Sequence, residues 1–129
     1  MATIFTKIIQ REIPSYKVAE NDQFYAFLDI SPLQKGHTLV VPKKEVDYLF
    51  DLDDQSLQKM IVFAKEVALK IKKTFPCNRV GMTVIGLEVP HAHIHLIPIN
   101  TEKDMNFSSP KLKLQEKELE EIAEKLRKA

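Results

Sequence analysis

The feature that most constrains the fold is a stripe of apolar side chains that recurs every three or four residues between Asp53 and Lys73. The stripe consists of Leu57, Met60, Ile61, Ala64, Val67, Ala68 and Ile71. This interval matches the 3.6-residue turn of an α-helix, so the apolar side chains share one face. Acidic residues precede the stripe and lysines end it, which is the order that the helix dipole favours. The pattern predicts one long amphipathic helix in the middle of the chain.

Short segments rich in β-branched and aromatic residues lie on both sides of this helix. They predict a hairpin at residues 16–19 and 24–28, a buried strand at 38–41, and two further strands at 79–85 and 92–97. An order of strands, helix and strands favours an α+β fold with an antiparallel sheet over a parallel doubly wound sheet.

The two ends of the chain carry different patterns. Residues 4–10 fit either a short helix or a turn of strand, and Pro14 then favours extended backbone at Ile13. Residues 116–128 place leucine, isoleucine and alanine on one face and charged residues elsewhere. We therefore expect a C-terminal helix that packs on the rest of the fold.

Composition limits the classes of function. The chain has 129 residues, inside the ~100–200 residue range of one domain, so we expect a single domain over residues 1–129. A net charge of +1 gives no long-range field for nucleic acid or an anionic membrane, and no uncharged apolar run reaches the ~18 residues of a membrane helix. The single cysteine, Cys77, cannot form an internal disulfide, which favours a reducing, cytoplasmic location.

Three of the four histidines occupy one five-residue window, where His91, His93 and His95 alternate strictly with apolar residues. On a strand, this spacing places all three imidazoles on one face, roughly 6.5–7 Å apart. Three interpretations fit such a row: polar side chains on an exposed face, a metal site, or phosphate and acid–base chemistry. Spacing alone does not decide between them.

Residues 91–97, His-Ala-His-Ile-His-Leu-Ile, resemble the His-φ-His-φ-His-φ-φ signature of the histidine triad (HIT) superfamily of nucleotide hydrolases and transferases. Further matches lie upstream, at residues 4–9, 12–14, 27–32 and 35–43, and the first two are similar to the Hint-like branch. Together the matches run from residue 4 to residue 98 in the order of the family. The resemblance implies a HIT-like fold with a five-stranded antiparallel sheet, one long central helix and a C-terminal helix. It leaves residues 99–129 as a C-terminal extension.

The resemblance implies a role for each histidine. His93 matches the nucleophile that attacks the α-phosphorus of a nucleotide and forms a nucleotidyl-histidine intermediate, which water then hydrolyses. The backbone carbonyl at the position of His91 holds the nucleophilic ring in this family. His37 and His95 match histidines that surround the phosphate, and a histidine rather than a glutamine at His95 points to hydrolysis.

The resemblance also implies a nucleotide pocket. Asp29 matches the acidic residue that accepts hydrogen bonds from the ribose hydroxyls. The apolar pocket for the base matches Phe5, Ile8, Ile13, Phe27 and Ile30. Ordinary core packing is the alternative explanation for these apolar residues.

The resemblance further implies hydrolysis of nucleoside phosphoramidates or dinucleoside polyphosphates, and it alone implies a homodimer. No cofactor bound by the protein is expected, although magnesium would accompany the nucleotide substrate. Two alternatives stay open: a nucleotide-binding or sensing module with weak or lost catalysis, and a metal-dependent enzyme with His91, His93 and His95 as ligands.

Two stretches depart from the family pattern. Residues 81–85 replace a loop that usually carries an amide side chain, and Leu87 and Glu88 stand where a glutamine and a small hydroxyl residue are usual. Leucine supplies no hydrogen-bond donor, and a carboxylate repels phosphate unless it faces away or binds a basic leaving group. Thr3 and Thr6 occupy the positions of a zinc-binding Cys-x-x-Cys pair found in some bacterial members, so we expect no such zinc site.

Overall fold

The computed structural model describes residues 2–129, in which five strands form one antiparallel sheet. The strands are β1 (Lys17–Glu20), β2 (Phe24–Leu28), β3 (Thr38–Pro42), β4 (Arg79–Thr83) and β5 (Ile94–Ile99). Their order across the sheet is β1-β2-β3-β5-β4, and every neighbouring pair is antiparallel. The predicted α+β fold with a five-stranded antiparallel sheet is confirmed.

Three α-helices and two short 3-10 turns complete the fold. The helices are α1 (Ile4–Ile9), α2 (Asp54–Thr74) and α3 (Glu116–Lys128), and the turns are Leu49–Asp51 and Glu102–Met105. The long helix α2 begins after Asp53, whose carboxylate accepts a hydrogen bond from the backbone N–H of Ser56 at 2.7 Å. A cap of this kind stabilises a helix by about 1 kcal/mol. The long central helix and the C-terminal helix lie where the sequence predicts them.

The sheet buries both of its faces, because successive side chains of its central strands point in opposite directions. On one face, β2, β3 and β5 pack against the apolar stripes of α2 and α3 to form the main core. On the other face, a smaller apolar cluster joins the sheet to α1, and we call it the second cluster. It consists of Phe5, Ile8, Tyr25, Phe27, Leu39 and Val41. This second face carries the candidate site.

Strand β4 is an edge of the sheet and ends earlier than predicted. It pairs with β5 from Arg79 to Thr83, and the chain leaves the ladder before Val84 and Ile85. Both of these side chains are exposed. Across residues 2–129 we find no helix that combines the length and apolar character required to cross a membrane.

Candidate active site

A cavity of about 460 Å³ opens on the second face of the sheet, next to the ends of β2 and β5. Its polar wall carries Asp29, Ser31, Glu88, His93, His95 and Lys111. Its apolar wall is formed by Phe5, Leu39, Ile85, Leu87, Val89 and Phe107, with Gly86 between them. The volume lies within the range of small-molecule sites in proteins. Two of the predicted histidines, the predicted ribose-binding carboxylate and Phe5 therefore border one space.

His93 is held with a single tautomer. Its Nδ1 lies 2.8 Å from the backbone carbonyl oxygen of His91, and a carbonyl only accepts, so Nδ1 carries the proton and donates it. The ring is largely buried and meets the Phe5 ring edge-on at 5.1 Å between centroids. In the neutral ring this tautomer leaves the Nε2 lone pair available for chemistry in the cavity.

His37 and His95 form a hydrogen-bonded pair at the wall of the cavity, which His95 borders. The backbone N–H of Leu33 donates to His37 Nδ1 at 3.0 Å, so the His37 proton lies on Nε2. His37 Nε2 is 3.0 Å from His95 Nδ1 and donates to it, which places the His95 proton on Nε2. Because His95 borders the cavity, this N–H is a hydrogen-bond donor for a ligand there.

Burial keeps this pair neutral. Desolvation, reinforced by the neighbouring His95, lowers the pKa of His37 to about 3. Desolvation and the neighbouring His93 lower the pKa of His95 to about 4. Both imidazoles are therefore uncharged near neutral pH, in agreement with the directions of their hydrogen bonds.

Gly36, with φ at 95°, makes the turn that brings His37 to the start of β3, a conformation that favours glycine.

The His91 imidazole does not border the cavity, although the His91 and His93 rings both contact the Phe5 ring edge-on, at 5.7 Å and 5.1 Å between centroids. Strand β5 begins at Ile94, and the backbone bends before it, with the His91 N–H bonded to the Val89 carbonyl at 2.8 Å. The His91 side chain is 0% exposed and does not line the cavity.

Asp29 follows β2 and borders the cavity. One carboxylate oxygen accepts the N–H of Ser31 at 2.9 Å, and the other lies 3.7 Å from His37 Nε2. Burial raises the pKa of Asp29, and the hydrogen bond from Ser31 opposes that rise. The geometry leaves the carboxylate next to the histidine pair.

The five residues expected to form a base pocket do not all lie at the cavity; the structure places them in three different surroundings. Phe5 borders the cavity, and Phe27 packs edge-on against it at 5.5 Å between centroids, with Ile8 in the same second cluster. Ile13 packs on the outside of that cluster and faces a different surface depression. The side chain of Ile30 is 67% exposed and does not line the cavity.

Several residues of the cavity carry no signal in the sequence. Phe107 and Lys111 come from the segment after β5, where no periodicity predicts an element. The Phe107 ring lies 4.8 Å from the His95 ring between centroids, and the Leu112 N–H bonds to the Pro32 carbonyl at 2.8 Å. The C-terminal extension therefore closes one side of the site. Only the tertiary fold reveals this contribution.

Leu87 and Glu88, which depart from the family pattern, both line the cavity at its rim. Leu87 is 87% exposed, and Glu88 is also exposed. Neither side chain is buried beside His93, so the rim supplies one apolar group and one carboxylate in contact with water.

One group of side chains within residues 2–129 has the geometry to hold a metal ion. Ligand atoms of Asp29, His37 and His95 all lie within 4.8 Å of one another. A metal there would displace the hydrogen that His37 donates to His95. The alternative set of His91, His93 and His95 does not form such a group within residues 2–129, where both ring nitrogens of His91 are hydrogen-bonded, to the Pro42 carbonyl and to the Thr3 hydroxyl.

The family is identified by comparison with known proteins. A model of the HIT domain matches residues 10–102, most of the chain, including the histidine-rich window. The chain belongs to the HIT family. A HIT-like protein of Borreliella burgdorferi is 36% identical over 128 residues, which cover 93% of this chain and 92% of that protein.

Two further HIT relatives are similar to this chain. An adenosine 5'-monophosphoramidase of Saccharomyces cerevisiae is 42% identical over 103 residues, which cover 79% of this chain and 65% of that protein. The crystal structure of a HIT-like protein of Bartonella henselae matches with a TM-score of 0.83 at 34% identity, covering 98% of this chain and 95% of that chain. The HIT fold that the sequence predicts is confirmed.

Proposed function

We propose that this HIT protein is a nucleotide hydrolase that acts at the α-phosphorus through a nucleotidyl intermediate on His93. One observation carries the proposal. His93 Nδ1–H donates a hydrogen bond to the His91 carbonyl, so in the neutral ring the Nε2 lone pair is free in a cavity of ligand size. An imidazole with a fixed tautomer and a free lone pair is a ready nucleophile for phosphorus.

The proposed reaction divides one displacement into two. In the first step His93 Nε2 forms a bond to phosphorus, and the bond to the leaving group breaks with its electron pair on the leaving group, which takes up a proton. In the second step water attacks phosphorus and the P–N bond to His93 breaks. The proton that the water releases balances the proton that the leaving group took up in the first step. His95 Nε2–H donates to the phosphoryl oxygens, where negative charge builds up.

The proposed substrates are nucleoside phosphoramidates, with dinucleoside polyphosphates as the second class. The similarity to an adenosine 5'-monophosphoramidase supports the first class. Asp29 lies at the cavity wall, where a carboxylate can accept hydrogen bonds from ribose hydroxyls, and Phe5 offers an apolar surface for the base. We further propose that magnesium binds together with the nucleotide and that the protein holds no cofactor of its own. We also propose that the protein is located in the cytoplasm.

Intact-mass spectrometry on the protein mixed with adenosine 5'-phosphoramidate tests this proposal. We expect one adenylyl group on His93, provided that the mixture is denatured under alkaline conditions that preserve the P–N bond. The His93→Ala variant should form no adduct and should turn over roughly 10³-fold more slowly or worse. The matched control is Gln58→Ala on the exposed side of α2, which should keep wild-type turnover.

Unchanged turnover by His93→Ala would contradict the proposed nucleophile. Because Leu87 and Glu88 depart from the family pattern, the alternative of a nucleotide-sensing module is tested separately. If the wild-type protein binds adenosine monophosphate tightly and hydrolyses neither phosphoramidates nor dinucleoside polyphosphates, the sensing role replaces the proposed catalysis.

We also propose that the protein is a homodimer. A groove of about 680 Å³ lies beside the edge strand β4, and its walls are mainly apolar. They include Tyr48, Phe50, Ile61, Met82, Val84 and Ile85, all exposed. Within residues 2–129, β4 has no neighbour on its outer side. An exposed edge with apolar side chains is typical of a surface that pairs with another chain.

A further inference from the structure

A network of hydrogen bonds connects the start of α1 to the histidine window. Thr3 Oγ1 lies 2.7 Å from His91 Nδ1, and the Thr3 backbone N–H donates to Glu45 Oε1 at 2.7 Å. The Thr6 hydroxyl donates to the same Glu45 oxygen at 2.8 Å. We call Thr3, Glu45 and His91 the N-terminal clamp. None of these three side chains lines the cavity.

The direction of each bond in the N-terminal clamp follows from its partners. His91 Nε2 lies 2.8 Å from the Pro42 carbonyl oxygen and donates to it, so His91 Nδ1 is the unprotonated nitrogen and needs a donor. Burial lowers the pKa of His91, which agrees with a neutral ring. The Thr3 hydroxyl has one hydrogen, and the 2.7 Å contact to the ring takes it in preference to the 3.2 Å contact to Thr6 Oγ1.

Glu45 holds Thr3 in place. The hydrogen bond from the Thr3 backbone N–H and that from the Thr6 hydroxyl lower the pKa of Glu45, so its carboxylate stays ionised and accepts both. The Thr3 side chain also accepts the backbone N–H of Thr6 at 3.1 Å, as the cap of α1. The hydroxyl that faces His91 is therefore fixed from two directions.

The segment that carries Glu45 also fixes the peptide unit behind His93. The Ala92 N–H donates to the Val46 carbonyl at 2.7 Å. In a trans peptide the His91 carbonyl points opposite to the Ala92 N–H, so this bond aims the carbonyl that accepts the hydrogen bond from His93 Nδ1–H. Pro42 and Val46 thus hold the ring and the peptide of His91, while Glu45 holds the residue that completes the ring's hydrogen bonds.

We infer that Thr3 is a positioning residue for the proposed reaction, because its hydroxyl fixes the His91 ring and, through the His91 carbonyl, the tautomer of His93. The inference rests on the proposed function for its kinetic effect. Its structural content, one tautomer for each of these two rings, stands independently of any activity.

The kinetic test compares Thr3→Val with Thr3→Ser on adenosine 5'-phosphoramidate. Valine has a similar shape but no donor, and a buried acceptor without a partner disturbs its surroundings, so we expect kcat to fall roughly tenfold with KM nearly unchanged. Serine restores the hydroxyl and should return kcat to within about twofold of wild type. Thr74→Val, which removes a threonine hydroxyl bonded at 2.8 Å to the Lys70 carbonyl at the far end of α2, is the matched control.

Imidazole ¹⁵N NMR supplies a measurement that does not depend on turnover. In the wild-type protein, the proton should lie on Nε2 of His91 and on Nδ1 of His93. In Thr3→Val, the His93 signals should show a mixture of the two tautomers, whereas Thr3→Ser should keep one. Thermal unfolding of each variant identifies loss of fold, and Thr3→Ser keeps the test available if Thr3→Val does not fold.

Three results would overturn the inference: wild-type kcat in Thr3→Val, equal losses in the valine and serine variants, or a wild-type His91 that carries its proton on Nδ1. If the wild-type protein shows one tautomer for each ring but hydrolyses no nucleotide, the proposed function fails while the positioning of His93 stands. The two failures are therefore distinguishable.

Discussion

Backbone groups set the tautomer of three of the four histidines in this HIT protein, and the His37 ring sets that of the fourth, His95. The Leu33 N–H, the His91 carbonyl and the Pro42 carbonyl each contact one ring nitrogen, and a backbone group has a fixed role as donor or acceptor. The four imidazoles are therefore ordered before any ligand binds. This preorganisation leaves one lone pair and one N–H for the cavity, on His93 and His95.

The lowered pKa values of His37 and His95 make stability depend on pH. In the folded protein these values are about 3 and about 4, whereas the unfolded chain has the ordinary value of about 6.5. The unfolded chain therefore binds more protons as the pH falls below about 6.5, so the free energy of unfolding decreases. This contribution is fully present above that pH and is lost progressively towards the folded pKa values.

We expect the Tm of the wild-type protein to fall as the pH is lowered from about 7 to about 5. In the His95→Gln variant the fall should be shallower, because one shifted group is absent and the glutamine oxygen still accepts the hydrogen bond from His37. Calorimetry of both proteins over this range makes the comparison. Equal slopes would show that the buried pair does not control the acid sensitivity.

At the scale of elements, the segment between β5 and α3 belongs to the site although it has no regular structure over most of its length. The Leu112 N–H bonds to the Pro32 carbonyl, and Phe107 packs on the His95 ring. Lys111 lines the cavity, with its ammonium group donating to the carbonyls of Phe107 and Ser109. A cation at this wall favours an anionic ligand such as a nucleotide phosphate.

We predict that Lys111→Gln raises KM for the nucleotide substrate by roughly two- to fivefold and leaves kcat nearly unchanged, because an exposed charge contributes modestly to binding. Lys113→Gln, two residues further along and also exposed, is the matched control and should keep the wild-type KM. Steady-state kinetics at low and high salt make the measurement. An unchanged KM in Lys111→Gln at low salt would remove this lysine from the binding surface.

At the scale of the whole molecule, the two faces of the sheet have different roles. One face packs on α2 and α3, and the other carries the second cluster and the site. The groove beside β4 shares residues 85–87 with the wall of the site cavity. A second copy bound in the groove would therefore lie next to the cavity and restrict the exposed rim at Leu87.

We expect the wild-type protein to have the mass of two chains in light scattering after size-exclusion chromatography. Met82→Asp places a charge on the edge strand, where the wild-type side chain is 54% exposed, and should give the mass of one chain. Leu69→Asp, at another exposed apolar position on α2 outside the groove, is the control and should remain a dimer. A Met82→Asp protein with the mass of two chains would exclude this face as the interface.

Local patterns in the sequence determined the main elements of the fold and part of the candidate site. The periodicity of residues 53–73 predicts α2, the short apolar segments predict the five strands, and the histidine window identifies the family. Each of these signals depends on neighbours in the chain, where helix and strand geometry repeat regularly. The sequence also selects His37, His93, His95 and Asp29, which the fold brings together around the cavity.

Only the tertiary structure determines which histidines of residues 91–95 border the cavity. Pro42 ends β3 and has no N–H to continue the ladder, and its carbonyl instead accepts the His91 imidazole. Strand pairing with β3 therefore begins at Ile94 opposite Val40, and the His91 imidazole does not border the cavity. Contacts of this kind join residues that are 49 positions apart, as His91 and Pro42 are, so no spacing within the window encodes them. The same reason explains why the contacts of Thr3, Glu45, Phe107 and Lys111 are found only in the folded chain.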